Sequence, residues 1–410
     1  MMVFASTTRS TLRGARPSLR QVVSNCRNRR RGFFSSAVRS TSIASGQAGT
    51  KDEAGPPRTI FSGIQPTGTP HLGNYLGALQ NWVRLQEEAT ATGDSVIFSI
   101  VGLHAITMPQ NPQQLRVERK DMLASLLAIG LDPERSILFH QDQVQEHAEL
   151  AWYLNCLTSV GRLNRMTTWK SKLATARGSS DAAESAGGGE EGALALGLFA
   201  YPVLQAADIL LYRTQQRATH VPVGEDQVQH LELSRDIADL FNRTYKQKLF
   251  PPPQHIITPT KRVLSLRDPT SKMSKSAPDA SSRILITDSP DVVRSKIKKA
   301  VTDGETQMSY DPEKRPGVSN LLGIASALMG RDDPALLAED LNKEGGGGGA
   351  LKNAVSDAII EALRPIQERL QRIQNEPAYL AEVERKGREK ARERAGPTME
   401  KVRRLVGLSD

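Results

Sequence analysis

Two widely separated stretches hold the residue types that phosphate chemistry needs. The first runs from Phe61 through Ser62-Gly63-Ile64-Gln65-Pro66-Thr67-Gly68-Thr69-Pro70 to His71-Leu72-Gly73-Asn74. Its β-branched and aromatic start, Thr59–Ile64, reads as a strand; the Pro- and Gly-containing Gln65–Pro70 reads as a turn, and the residues after His71 are helix-compatible. The free N–H groups of such a helix start, with the positive end of its dipole, face whatever fills the turn. Gly73 has no side chain to block a ligand, and His71 and Asn74 offer polar hydrogens, so phosphate fits there. A strand–glycine–helix turn with a nearby His also occurs in α/β proteins that bind nothing at it. The second stretch is Lys272-Met273-Ser274-Lys275-Ser276, bounded by Pro269 and Pro278. Two ammonium groups on a loop can close on phosphates and open again to release a product.

A third constellation is apolar with polar insertions. Tyr201, Gln205 and Asp208 fall at i, i+4 and i+7 on one face of a helix predicted over 194–212, among Val203, Leu204, Ala206, Ala207, Ile209 and Leu210. A carboxylate in that company needs a partner, because burying it bare is costly. With no Lys or Arg on that face, a ligand is one candidate; a cap or bond inside the protein is the other. His104 ends the apolar run Ser95–Val101, a predicted buried parallel strand, and so lies where doubly wound sheets bind ligands.

The elements that must position these groups alternate strand and helix. Strands are expected at 59–64, 95–101, 136–140 and from Val221, with helices over 113–130, 147–160, 194–212 and through Phe241. Beyond Ser289 the pattern is helical, in segments 291–301, 318–330, 334–341, 351–375 and 377–406, with Gly396-Pro397 expected to break the last. The Gly-, Ser- and Glu-rich 176–192 reads as a mobile insertion, as does 345–349. From Glu382 to Arg404 nine Lys or Arg stand against five Glu, either a solvated helix face or a basic face for RNA phosphates.

Charge distribution excludes a simple argument from the net charge of +9. Residues 1–50 contain nine Arg, no Lys and no acid, and removing them leaves 45 basic against 45 acidic residues. The remainder is neutral, so any RNA-binding surface must be a local patch. An Arg- and Ser-rich, acid-free leader reads as a mitochondrial transit peptide, or else as a basic arm, and Arg31-Gly32-Phe33-Phe34-Ser35 resembles a matrix-protease cleavage site. Only Cys26 and Cys156 occur, which excludes a disulfide framework and structural zinc spacing. No apolar run has the length of a membrane span.

Pro70-His71-Leu72-Gly73-Asn74 with Lys272-Met273-Ser274-Lys275-Ser276, in this order, resembles the paired signatures of class I aminoacyl-tRNA synthetases. Gly63 to Gly68, His104-Ala105-Ile106-Thr107 and Gly224-Glu225-Asp226-Gln227 are similar to the tryptophanyl branch, and the resemblance runs from about Arg58 to the C-terminus. It implies an α/β Rossmann-like doubly wound parallel sheet domain over 51–288, an all-helical anticodon-binding domain over 289–410, ATP with Mg2+, L-tryptophan, tRNA(Trp) and a homodimer with contacts near 147–160. ATP contacts are then expected from Gln65, Thr67, Gly73, Asn74, Gly224, Asp226, Gln227, Lys272, Met273, Ser274 and Lys275. Lys272, Lys275, His71, Asn74 and Lys170 would act on the phosphates, although a solvated Lys170 is the simpler reading of the residue alone. Tryptophan contacts are expected from Phe61, Gly63, His104, Tyr201, Gln205, Asp208, Val223 and Gln227, and tRNA contacts from Arg403 and Arg404. Where the family often has Asp-Gln before the His, this chain has Gly102-Leu103. Three other readings stay open: a tyrosyl enzyme, since Tyr-x-x-x-Gln-x-x-Asp resembles that sister family; a different nucleotidyltransferase; and a non-catalytic synthetase-like RNA-binding protein, against which both intact signatures stand.

Overall fold

The computed structural model describes residues 57–166, 169–170, 194–214, 217–223, 228–257, 262–275 and 277–410. The expected leader 1–50, the expected insertion 176–192, and Gly224, Asp226 and Gln227 lie outside the described residues.

β1 (Thr59–Ile64), β2 (Ser95–Ile100), β3 (Ile137–His140), β4 (Thr219–Val223) and β5 (Gln254–Ile257) form one sheet in the order β3-β2-β1-β4-β5. All four pairings are parallel, so helices must return the chain across the faces and the strands are apolar on both sides. Ile97, Phe98 and Ile100 of β2 are fully enclosed, and Phe98 stacks on Trp82. Strand order reverses beside β1, with β2 and β3 stepping one way and β4 and β5 the other. This is the α/β doubly wound arrangement expected, and the crevice at the carboxyl ends of β1 and β4 is where such sheets bind ligands. β5 has no counterpart in the sequence reading, because Pro251-Pro252-Pro253 directly before a four-residue run reads as loop.

The helix after β1 begins at Leu72–Asn74, passes through a π-helical turn at Tyr75–Leu79 and continues as α1 (Gln80–Thr92). α2 (Pro112–Ile129) is capped by the Asn111 side-chain oxygen, which accepts from the N–H groups of Gln113 and Gln114. α3 (Glu146–Leu157), α4 (Leu196–Leu211) and α5 (Val228–Thr244) follow. α4 is apolar nearly all round and correspondingly buried. After the sheet come α6 (Pro290–Lys298), α7 (Pro316–Met329), α8 (Pro334–Lys343), α9 (Gly348–Gln374) and α10 (Pro377–Val406). Among the described residues no helix is long and apolar enough to cross a membrane.

The described chain divides into two compact units, 302–359 in one and 57–301 with 360–410 in the other. In the first, the buried Arg315 guanidinium forks onto the Asp303 carboxylate and donates to the Gln307 carbonyl at 2.7 Å. In the second, α10 lies along β3 and covers the sheet edge. The approach is so close that a Cβ at Gly387 would stand 1.7 Å from the Leu138 carbonyl oxygen. Ala391, Ala395, Met399 and Val402 of α10 join the core of Phe139, Leu150 and Leu154. The expected break at Gly396-Pro397 does not occur: α10 is continuous through Pro397. Pro397 stands on the exposed face, where the carbonyl it leaves without a helical donor meets water, while Thr398 and Met399 are held in the core.

Candidate active site

The phosphate turn is built by reciprocal hydrogen bonds. His71 is the N-cap: its Nδ1 accepts from the Asn74 N–H at 3.2 Å, and the Asn74 side-chain oxygen accepts from the His71 N–H at 3.1 Å. With Nδ1 accepting, the ring carries its proton on Nε2. Burial first, then the positive charges of Lys275, Arg283 and Lys272, hold the imidazole down at about 4, so His71 is a neutral donor at pH 7. A Cβ at Gly73 would come within 3.0 Å of the His71 ring and 3.5 Å of the Met273 Cβ, which is why glycine stands there. Gly63 is similarly confined, with Val101 2.9 Å from an added Cβ.

Backbone pairing brings the lysine loop to this turn. The Leu72 N–H donates to Ile284 O at 2.8 Å and the Ile286 N–H to Pro70 O at 3.0 Å. The Met273 N–H reaches Val263 O at 3.0 Å, and the Met273 side chain is buried. The Lys275 ammonium donates to the carbonyls of Thr67 at 2.7 Å and Gly68 at 2.9 Å. Gly68 takes a positive φ of 69°, a conformation other side chains rarely adopt. Burial lowers the Lys275 amine to about 8. Lys272 is exposed and Ser274 half-buried in the same loop, and Gln65 is half-buried directly after β1. The structure therefore brings His71, Asn74, Lys272 and Lys275 to one turn. Lys170 is exposed, and its ammonium stands 5.4 Å from the Trp169 ring centre.

The second cluster surrounds Asp208, which is 2% exposed. His104 Nε2 lies 2.8 Å from Oδ2 and His147 Nδ1 2.6 Å from Oδ1, while the Gln141 amide donates to both oxygens at 2.7 and 2.8 Å. A carboxylate only accepts, so both ring nitrogens donate. Burial pushes the Asp208 carboxyl up, but attraction and hydrogen bonding from His147 and His104 outweigh it and hold the group at about 2. The partner of Asp208 in the structure is thus a set of protein donors, the alternative to a ligand in the sequence reading. Those donors sit after β2, at the carboxyl end of β3 and on α3, not on α4, where a search of one helix face for Lys or Arg could not find them. Tyr201 meets the His104 ring edge-on and its hydroxyl lies 3.1 Å from His230 Nε2. Phe61 stacks on Tyr212 at 5.4 Å. Gln205 is half-buried on α4, and Val223 ends β4.

Residues 53–364 match the model of the class I tRNA synthetases specific for W and Y. The chain belongs to that family. It is 45% identical over 358 residues to the mitochondrial tryptophan–tRNA ligase of Schizosaccharomyces pombe, covering 86% of this chain and 96% of the relative. With the mitochondrial tryptophan–tRNA ligase of Saccharomyces cerevisiae it shares 44% identity over 352 residues, 85% of this chain and 91% of the relative. Among solved structures it is similar to tryptophanyl-tRNA synthetase from Mycoplasma pneumoniae, with a TM-score of 0.73 and 33% identity over 86% of this chain and 98% of that one. It also resembles the Campylobacter jejuni enzyme complexed with ADP and tryptophan, with a TM-score of 0.69 and 30% identity over 85% of this chain and all of that one.

In this synthetase the departure at Gly102-Leu103 has a local explanation. A Cβ at Gly102 would come 2.4 Å from an Asp142 carboxylate oxygen, and the Leu103 N–H donates to the Gln141 side-chain oxygen at 3.1 Å. The Gln141-Asp142 pair following β3 thus braces the turn that carries His104. Gln141, Asp142, His147, Tyr212 and Arg283 escaped the sequence reading. Gln141 was findable from its place at the carboxyl end of a predicted strand; His147 was not, because its helix was read only for its apolar face.

At the C-terminus the Arg403 guanidinium forks onto Glu149 at 2.7 and 2.6 Å. Arg404 is exposed, with Nε donating to the Asp410 carbonyl at 3.1 Å. One expected tRNA contact is therefore committed to holding α10 on α3.

Proposed function

We propose that this synthetase is a tryptophan–tRNA ligase, activating L-tryptophan with ATP and transferring it to tRNA(Trp). The observation that carries the reading is Asp208, an ionised acceptor held by three protein donors under His104 and Tyr201. An indole N–H is a donor only, and an ionised carboxylate held in one orientation is the kind of acceptor it requires. The relatives at 44–45% identity support the same amino acid.

In the activation step the tryptophan carboxylate oxygen forms a bond to the α-phosphorus of ATP, the bond to the bridging oxygen breaks, and pyrophosphate leaves with that electron pair. The nucleophile is already ionised at neutral pH, so no general base is needed, and catalysis consists of positioning and charge stabilisation. Lys275 and Lys272 supply positive charge to the departing phosphates, and neutral His71 supplies a hydrogen bond from Nε2. Among the described residues no group of three or more His, Cys, Asp or Glu forms a metal cage. Mg2+ therefore enters the proposal as carried by the nucleotide.

A homodimer is part of the proposal. Trp152 is 67% exposed and Val160 64%, apolar side chains in the region 147–160 where the resemblance places the subunit contact. Sedimentation at the monomer mass would exclude it. Arg404 is the remaining candidate for tRNA phosphates, and the mitochondrial matrix is the proposed compartment.

The deciding experiment is amino-acid-dependent exchange of labelled pyrophosphate into ATP. Tryptophan is expected to support it at least about a thousandfold better than tyrosine or phenylalanine, the order of one good polar mismatch. Exchange driven by tyrosine would instead make this the sister enzyme.

A further inference from the structure

The ring of His147 is fully buried beside Asp208. Its exposure is 0%, so it meets neither solvent nor RNA directly. Nδ1 donates to Asp208 Oδ1 at 2.6 Å and Nε2 lies 2.8 Å from the Tyr212 hydroxyl. Asp208 and Tyr212 are one turn apart at the end of α4, so a single ring reaching in from α3 engages both. Phe139 of β3 stacks on it at 5.6 Å, with the planes 26° apart, which fixes the plane of the imidazole. Burial and the neighbouring Asp208 charge push the Tyr212 phenol well above its ordinary range, so the hydroxyl keeps its proton beside Nε2. Two short contacts thus join Tyr212, His147 and Asp208 in one relay.

We propose that His147 is a positioning residue for amino-acid selection: anchored by the Tyr212 hydroxyl, it fixes the orientation in which Asp208 meets the N–H of the substrate side chain. Gln141 and His104 also hold the carboxylate, but Gln141 bridges both oxygens and His104 sits on the turn after β2 at the mouth of the cluster. His147 gives Oδ1 its shortest contact and is itself tied to Tyr212 at the end of the helix that carries Asp208, and without it the carboxylate is free to turn toward the two remaining donors. His147 does not touch the substrate; it acts through Asp208. The inference rests on the reading of Asp208 as the indole acceptor, and its test separates the two.

The test compares tryptophan with benzothienylalanine, an isostere with sulfur in place of the N–H, in pyrophosphate exchange. In His147→Leu the KM for tryptophan should rise about tenfold, the worth of one well-placed hydrogen bond, with kcat and the KM for ATP within about twofold. The KM for the sulfur analogue should change by less than about twofold, since that substrate never used the acceptor. His147→Asn, whose amide can stand in for the Nδ1 donor, should recover tryptophan to within about threefold, and Tyr212→Phe should fall between. An equal rise for both amino acids, or an unchanged tryptophan KM, overturns the proposal. Should thermal melting show His147→Leu unfolded, His147→Asn and Tyr212→Phe decide: wild-type discrimination between the two amino acids in both also overturns it. Asp208→Asn distinguishes the underlying reading. If it leaves the tryptophan-to-analogue ratio intact, Asp208 is not the acceptor; if the ratio collapses there but survives the His147 and Tyr212 variants, only the role of His147 is lost.

Discussion

Lys275 shows how one side chain serves two states of a reaction cycle. Its ammonium is bound to the carbonyls of Thr67 and Gly68, groups of the turn that would take the nucleotide, so it is already placed beside the phosphates' side of the site. Burial lowers its amine to about 8. The kcat/KM for ATP, which reports the free enzyme, should therefore fall as pH rises through about 8, because the neutral amine no longer attracts phosphate. Lys275→Arg should carry that limb beyond the measurable range, since a guanidinium keeps its charge. Lys275→Ala should lower kcat in pyrophosphate exchange by about a hundredfold, the usual cost of one transition-state charge contact, with the tryptophan KM little changed. A pH profile unaffected by the arginine variant would remove Lys275 from the rate-determining charge balance. At this scale the residues proposed for the phosphate end were legible in the sequence, because two linear motifs contain them. The partners of Asp208 were not, since Gln141, His104 and His147 come from three other segments and no spacing along the chain connects them.

At the scale of elements, α10 joins two functions that the sequence kept apart. Its charge run invited an RNA-binding face, and part of that charge is spent otherwise: Arg385 pairs with Glu382 and Glu389 within the helix, and Arg403 with Glu149 on α3. The boundaries of the long helices and of β1 to β3 were legible, because amphipathic periodicity and short apolar runs between turns are local signals. β5 and the continuity of α10 through Pro397 were not, since both depend on what covers the segment in the fold. Gly387 makes the packing testable. Gly387→Ala puts a methyl against the Leu138 carbonyl and should destabilise the protein by about 3 kcal/mol, the upper range for overpacking a tight contact. Gly396→Ala, with nothing within 4 Å of its added Cβ, should be neutral or stabilising by up to about 1 kcal/mol through helix propensity. Denaturant midpoints of the two variants measure the difference; a Gly387→Ala protein as stable as Gly396→Ala would mean that α10 does not rest on β3 at this distance.

For the whole molecule, charge and fold divide at the same place. The sheet begins at Thr59, the family match at residue 53, and every excess positive charge lies before residue 51, in nine Arg without a single acid. The first described backbone pairing is the Ser95 N–H to Arg58 O, beside an ion pair of Arg58 with Asp94. A leader of that composition is what mitochondrial import reads, and the S. pombe and S. cerevisiae relatives are mitochondrial enzymes. A protein beginning at Lys51 should therefore melt within about 1 °C of the full chain, roughly the shift that 1 kcal/mol of lost packing produces in a chain this size, and should keep its rate of pyrophosphate exchange. Residues 1–50 fused to a fluorescent reporter should carry it into mitochondria, and replacing the nine Arg by Gln should leave it in the cytosol. A truncated protein with lost exchange activity would show that the leader belongs to the enzyme, and a cytosolic wild-type fusion would make it a basic arm for RNA instead.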